Sequence, residues 1–106
     1  MKVVNIHGIA HITGGGFNNI SRILPENLAA HIDVNSWILP EIFDDICHLA
    51  DLSLLEMLKI FNCGIGMVVI VDKKGVVPTL FNVHNSKVIG VVKQKETESL
   101  IFEGVI

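Results

Sequence analysis

Three consecutive glycines, Gly14, Gly15 and Gly16, follow an apolar segment and precede one that reads as the start of a helix. A strand, then glycines, then a helix start exposes backbone N–H groups at the positive end of a helix dipole. Such a place suits phosphate, carboxylate or another anion. Glycine has no Cβ, so the backbone can approach the ligand closely. The same triplet reads equally well as a tight turn, since glycine is the default wherever φ must be positive. It is neither a Walker A loop, which needs Gly-Lys-Ser/Thr, nor a G-x-G-x-x-G dinucleotide turn. His7 and His11 flank the approach to the triplet. In an extended segment they share a face, because their positions differ by an even number, and both are placed to hydrogen-bond an anion held there. As metal ligands they lack a third partner at zinc-like spacing.

The second unusual place is "FNCGIGM", residues 61–67, where Gly64 and Gly66 open an otherwise bulky strand. Glycine there marks either a bulge or the close approach of a ligand or another backbone. Asn62 beside them supplies an amide donor and an acceptor. No nucleophile–base pair stands out. Ser21, Ser36, Ser53, Ser86 and Ser99 lack the strand–elbow–helix setting of a hydrolase serine. Asp44 and Asp45 read as a solvated helix face, and His31, His48 and His84 as structural or exposed.

The elements that must position these groups follow from periodicity. Val3 to Ile12 reads as a strand ending at Thr13, and Phe17, Ile20, Ile23 and Leu24 recur at helical spacing until Pro25. Residues 28–33 read as a second strand. Pro40 suits the first turn of a helix, with Ile42, Ile46 and Leu49 as its apolar face. A further helix is expected from Leu52 to Ile60, opened by Asp51 or Ser53, with Glu56 placed to close a capping box. "GMVVIV" (66–71) is a continuous apolar run of the kind a central strand covered on both faces shows. Lys73, Lys74 and Gly75 predict a turn, Pro78 the start of a short helix, and "KVIGVV" (87–92) and "SLIFEGVI" (99–106) two more strands. Interleaved strands and helices predict a layered α+β or α/β domain.

Composition narrows the function classes. A chain of 106 residues fits one domain. Half its residues are apolar and only 18% are charged, which suggests apolar surface covered by a partner or another domain. A net charge of −3 without a basic cluster argues against a nucleic-acid partner. The longest apolar-and-glycine run, Gly64 to Val71, is far short of the roughly 18 residues of a membrane span. The start "MKVVNIHG" has no signal-peptide core. Cys47 and Cys63 make no disulfide framework and read as reduced, buried thiols of a cytoplasmic chain. From the residues alone the reading ends at a small anion-binding α+β domain.

Several separated motifs carry the reading further. They are His7, "AHITGGG" (10–16), Asn19 with Arg22, Leu24-Pro25, Asp33, Trp37, Pro40, Glu56-Met57 and "FN-x-G-x-GM" (61–67). Together they closely resemble the C-terminal domain of phosphoribosylformylglycinamidine cyclo-ligase, or AIR synthetase, an enzyme family of de novo purine synthesis. The resemblance runs from about Ile6 to Val71 and more loosely to the end. It implies an α+β fold: a layered α/β/α domain with a mixed, partly ferredoxin-like sheet. Residues 1–106 would be a single partial domain, with the N-terminal ATP-binding domain and the first part of the C-terminal domain lying outside them.

The family's reaction uses ATP to phosphorylate the formyl oxygen of formylglycinamidine ribonucleotide, after which ring closure expels phosphate and gives aminoimidazole ribonucleotide. The resemblance implies substrate- or phosphate-binding roles for His11, Thr13, Gly14, Gly15, Gly16, Asn19, Arg22, Asn62, Gly64 and Gly66. It assigns no catalytic residue and no metal ligand to this chain. ATP and Mg²⁺ would be handled mainly by the N-terminal domain, which also makes the family's homodimer. The isolated chain is therefore expected to be cytoplasmic, catalytically silent and prone to self-association. Two departures stand out. Lys59 replaces a common arginine, and a 15-residue connection with Pro78 stands between Val71 and Lys87 where the family has a longer helix. Two other readings stay open: another ATP-dependent enzyme of the same superfamily, or a stand-alone binding or interaction module without catalysis.

Overall fold

The computed structural model describes residues 4–104. Strand β1 (Ile6–His11) leads through the glycines to a four-residue helix, α1 (Asn18–Ser21), and then to β2 (Leu28–Asp33). Helices α2 (Glu41–Ala50) and α3 (Leu54–Ile60) follow, then β3 (Met67–Val71). A 3-10 turn (Lys73–Gly75) runs into α4 (Val76–Asn82), and β4 (Gly90–Gln94) and β5 (Leu100–Glu103) complete the chain.

β2 is the centre of a mixed three-stranded sheet, antiparallel to β4 and parallel to β5. Its alternation explains that position: Ala30, Ile32 and, just beyond the strand, Val34 point into the core. His31 and Asp33 fall on the opposite face of the pleat. The parallel β2–β5 pair is joined by a long crossover that holds α2, α3, β3, α4 and β4, as parallel pairing demands. β1 and β3 form a separate antiparallel ribbon, with Ile9 opposite Val69 and His11 opposite Met67. The expected α+β fold with a mixed sheet and flanking helices is therefore found.

The core gathers Ile12, Phe17, Ile20, Met57, Leu58 and Cys63 with the buried face of β2. Phe17 lies at its centre, stacked on Trp37 (centroids 5.6 Å apart) and edge-on to Phe102 (5.8 Å). α3 begins at the foreseen capping box, where Ser53 Oγ accepts the Glu56 N–H and the Glu56 carboxylate accepts the Ser53 N–H. Asp51 instead closes α2 in a left-handed conformation (φ 54°), which a short polar side chain tolerates.

Several expectations are corrected. β3 is not covered on both faces: among the described residues it pairs with β1 alone, and Met67 and Val69 are exposed. A continuous apolar run gives no information about how many neighbours a strand finds. α2 turns inward with Phe43, Ile46 and Cys47 rather than with Ile42, Ile46 and Leu49, and Leu49 is 89% exposed. The Phe43 ring against Phe61 (6.2 Å) sets that rotation.

β4 begins three residues later than foreseen, at Gly90, where it pairs with Ile32. A side chain at Gly90 would run into the His31 carbonyl, so glycine marks where the two strands come together. The helix after the glycines spans only Asn18–Ser21. β5 ends at Glu103 before Gly104 (φ 108°), while Val3 and residues 105–106 lie outside the described residues. The connection after β3 is helical, and Pro78 occupies the first turn of α4, where its missing N–H costs nothing.

Candidate functional site

The glycine triplet folds as a turn pinned at both ends. The Gly16 N–H donates to the Thr13 carbonyl (3.0 Å), and the Phe17 N–H donates to the Leu58 carbonyl near the end of α3 (2.8 Å). The last carbonyls of a helix have no partner within it, so Phe17 satisfies one of them while its ring fills the core. Gly15 and Gly16 adopt left-handed φ values of 92° and 57°. A Cβ on Gly16 would collide with the Leu58 carbonyl, whereas one on Gly14 would meet nothing within 4 Å. Gly16 is therefore glycine for packing, while Gly14 faces open space.

This geometry divides the backbone donors. Those of Gly16, Phe17, Asn18 and Asn19 are spent on protein carbonyls. Those of Gly14 and Gly15 donate to no group among the described residues. The short α1 contributes no free helix terminus, so the donors come from the turn itself.

Asn19 is the only polar side chain among the buried described residues, at 9% exposure. Its Nδ2 donates to the carbonyls of Gly16 (2.7 Å) and Gly14 (3.3 Å), and its Oδ1 accepts from Arg22 Nη1 (3.0 Å). Both ends of the amide are thus occupied inside the protein, and Asn19 shapes the turn. Arg22 is held over the turn, with Nη2 3.4 Å from where a Gly15 Cβ would stand. No carboxylate among the described residues pairs with it. Two free N–H groups beside an unpaired guanidinium form a donor set suited to a phosphate.

The second glycine segment lies against the first. The Ile12 N–H donates to the Gly66 carbonyl (2.9 Å), continuing the β1–β3 pairing up to the start of the triplet. Asn62 Oδ1 accepts the Gly64 N–H (2.9 Å), and its carbonyl accepts the Ile65 N–H (2.9 Å), so this residue builds its own turn. Gly64 (φ 97°) sits so close to Pro40 that a Cβ would lie 2.7 Å from its ring carbons. Gly66 faces open space. Trp37 Nε1 donates to the Cys63 carbonyl (3.0 Å), holding Cys63 in an uncommon left-handed conformation (φ 52°).

His11 and Thr13 are both exposed at the mouth of the turn. His7 is not with them. It stands at the far end of β1, about 13 Å away at the rise of a strand. There its Nε2 meets Asp72 Oδ1, while Asn5 Nδ2 donates to Asp72 Oδ2 (2.9 Å). These contacts, the Asn5 bond first and then His7 and Lys74, hold the Asp72 carboxyl below its ordinary range. His31 bonds Glu103 (2.9 Å) across β2 and β5, and His48 bonds the Asp44 carbonyl (2.8 Å).

The structure thus brings together His11, Thr13, Gly14, Gly15, Gly16, Asn19, Arg22 and Gly66, with Asn62 and Gly64 one turn further along. Sequence reasoning gave Phe17 and Trp37 no positioning role and did not single out Leu58, yet these residues fix the two segments in place. Two grooves lie elsewhere: one of about 750 Å³ along β5, α1 and α3, and one of about 520 Å³ beside β4 and Gly104. The described residues hold no cluster of three histidine, cysteine, aspartate or glutamate side chains fit for a metal.

Residues 1–103 match the model of the family described as AIR synthase related protein, C-terminal domain. The phosphoribosylformylglycinamidine cyclo-ligase of Syntrophus aciditrophicus (strain SB) is 52% identical over 75 residues, which cover 70% of this chain and 22% of that protein. The Geobacillus sp. (strain WCH70) protein of the same name is 45% identical over 101 residues, covering 91% of this chain and 29% of its own. That of Thermoanaerobacter sp. (strain X514) is 53% identical over 77 residues, covering 72% and 23%. The chain spans less than a third of the length of these curated relatives. With the family model matched across nearly its whole length, the chain belongs to the AIR synthase related protein, C-terminal domain family.

Proposed function

We propose that this chain is the substrate-binding part of an ATP-dependent cyclo-ligase that converts formylglycinamidine ribonucleotide to aminoimidazole ribonucleotide. Its own contribution is a cradle for the ribonucleotide phosphate. The observation that carries the reading is the pair of unspent N–H groups at Gly14 and Gly15 beneath the unpaired Arg22 guanidinium. In this reading Gly14, Gly15 and Arg22 hold the phosphate, while Asn19 and Gly16 keep the turn in shape. His11 and Thr13 border the ribose side, and Asn62, Gly64 and Gly66 form the facing wall. ATP and Mg²⁺ are handled by other parts of the full-length enzyme, a cytoplasmic homo-oligomer. The phosphorylation chemistry is not performed by the residues of this chain, which bind and orient.

The test is an amide ¹H–¹⁵N correlation spectrum titrated with aminoimidazole ribonucleotide and, separately, with the riboside that lacks the phosphate. The expected result is a shift at Gly14, Gly15 and the Arg22 side chain with the ribonucleotide alone. Arg22→Ala should weaken that binding about tenfold or more, the worth of one charge-assisted hydrogen bond. Equal shifts with the riboside, or none with either, would refute the cradle.

A further inference from the structure

Residues 34–40, which connect β2 to α2, grip the second glycine segment at two points. Pro40 lies against Gly64, and Trp37 Nε1 donates to the Cys63 carbonyl (3.0 Å). The grip is built from within the connection. Asp33 Oδ1 accepts the Asn35 N–H (2.9 Å), and the Asp33 carbonyl accepts the Ser36 N–H (3.1 Å) and the Ser36 hydroxyl (2.6 Å). These bonds turn the chain at the end of β2, and Trp37 returns half-buried against the core. Its indole stacks on Phe17, with the rings 10° from parallel. Phe17 is the residue whose N–H anchors the glycine turn on Leu58. One side chain thus meets both glycine segments, the first through its ring face and the second through its N–H. Cys63 is fully buried in a left-handed conformation, and its carbonyl takes no other hydrogen bond among the described residues. A side chain larger than glycine rests in that conformation only where its surroundings hold it.

We infer that Trp37 is a positioning residue that sets the facing wall, Asn62 to Gly66, against the phosphate turn and couples the two. What the segments hold rests on the cradle reading; how they are joined rests on the contacts alone. A second link, from the Ile12 N–H to the Gly66 carbonyl, lies on the strand side and fixes Gly66. Cys63 and Gly64 are left to the indole and Pro40. Loss of the indole N–H strips a buried carbonyl of its partner, and the peptide relieves this by turning toward another donor or water. Such a turn disturbs the Asn62 bonds to the Gly64 and Ile65 N–H groups. The phosphate turn keeps its own anchors, Leu58 and Asn19. The wall therefore loosens while the cradle stays, so the whole ribonucleotide binds less tightly and phosphate alone does not. In the other direction, a ligand that draws on Gly14 and Gly15 pulls on Phe17 beneath the stacked indole. Trp37 is the chain's single tryptophan, so one indole N–H signal reports that pull.

The experiment compares the 106-residue chain with Trp37→Phe, which keeps a ring on Phe17 and loses the N–H. Amide hydrogen exchange without ligand should quicken at Gly64 and Ile65 in the variant, while Gly16 and Phe17 stay as protected as in the parent. Affinity for aminoimidazole ribonucleotide should fall about threefold to tenfold, the worth of one hydrogen bond, with affinity for inorganic phosphate unchanged. In the parent chain the indole N–H signal should move with the ribonucleotide alongside Gly14 and Gly15, a result that needs no variant to fold. A residue of merely structural weight would quicken all four amides together and weaken both ligands alike, and that outcome overturns the inference. So does an indole signal that stays still while Gly14 and Gly15 shift. If no ligand shifts Gly14 and Gly15 in the parent chain, the cradle is what fails, and the exchange pattern alone decides the role of Trp37.

Discussion

Substituting alanine at Gly16 and at Gly14 separates a glycine kept for folding from one kept for a ligand. At Gly16 (φ 57°) an alanine would hold a left-handed backbone, which costs about 1–2 kcal/mol. Its Cβ would also sit 2.8 Å from the Lys59 carbonyl carbon and 2.9 Å from that of Leu58. These are backbone atoms at the end of a packed helix, and they do not swing aside as a side-chain tip would. Relief must come from drawing the turn away from α3, which breaks the Phe17 N–H bond to Leu58 and forfeits roughly 1 kcal/mol more. The expected total is about 3 kcal/mol, a fall in melting temperature of about 12–24 °C for a domain of this size. Gly14→Ala meets no atom within 4 Å and should stay within about 0.5 kcal/mol of the parent. Urea unfolding followed by circular dichroism reads both. If Gly16→Ala unfolds within about 0.5 kcal/mol of the parent, or Gly14→Ala costs as much as Gly16→Ala, the division of roles is wrong. The Gly14 variant, folded, should have lost the phosphate-dependent shifts.

Two further outcomes follow from the polar contacts. Asn19→Ala removes the bonds to the Gly16 and Gly14 carbonyls and frees Arg22, and should cost about 2 kcal/mol in urea unfolding while weakening ribonucleotide binding. Weaker binding with unchanged stability would mean that Asn19 acts on the ligand rather than on the turn. Asp72 has a folded-state pKa below its ordinary 3.8, so its contribution is present above that value and lost as pH falls through the folded one. Asp72→Asn should therefore be less stable than the parent at neutral pH and converge with it in strong acid. Melting curves that stay parallel down to low pH would contradict this.

The parts of this fold that were legible in the sequence are those decided within a few residues. Ser53 and Glu56 announce the start of α3 because a capping box is a local exchange of hydrogen bonds. The alternation of β2 and the start of α2 directly after Pro40 are local in the same sense. What was misread depends on partners distant in the chain. "GMVVIV" has the composition of a covered strand, yet its exposure follows from its pairing with β1 alone. The α2 sequence carries apolar residues at two overlapping sets of positions, and the set that turns inward is the one whose Phe43 packs on Phe61 and the core. In the candidate site the glycines themselves were visible, and Gly15, Gly16 and Gly64 hold left-handed angles that few other residues tolerate. That Asn19 is consumed by the turn, and that the Leu58 carbonyl makes Gly16 obligatory, are contacts that no spacing announces.

The bond from Phe17 to Leu58 closes a loop of about forty residues, and this bears on the order in which the chain acquires its shape. Ordering a contact of that span is entropically slow, while α3 and its cap form locally and early. The glycine turn therefore has no scaffold until α3 has docked on the core. A short peptide copied from residues 11–20 would carry the full glycine motif and its local hydrogen-bond partners, without the Leu58 carbonyl that anchors the far end of the turn. During refolding, helical signal should return before the turn exists, so recognition is among the last properties this chain gains and the first it loses on local opening.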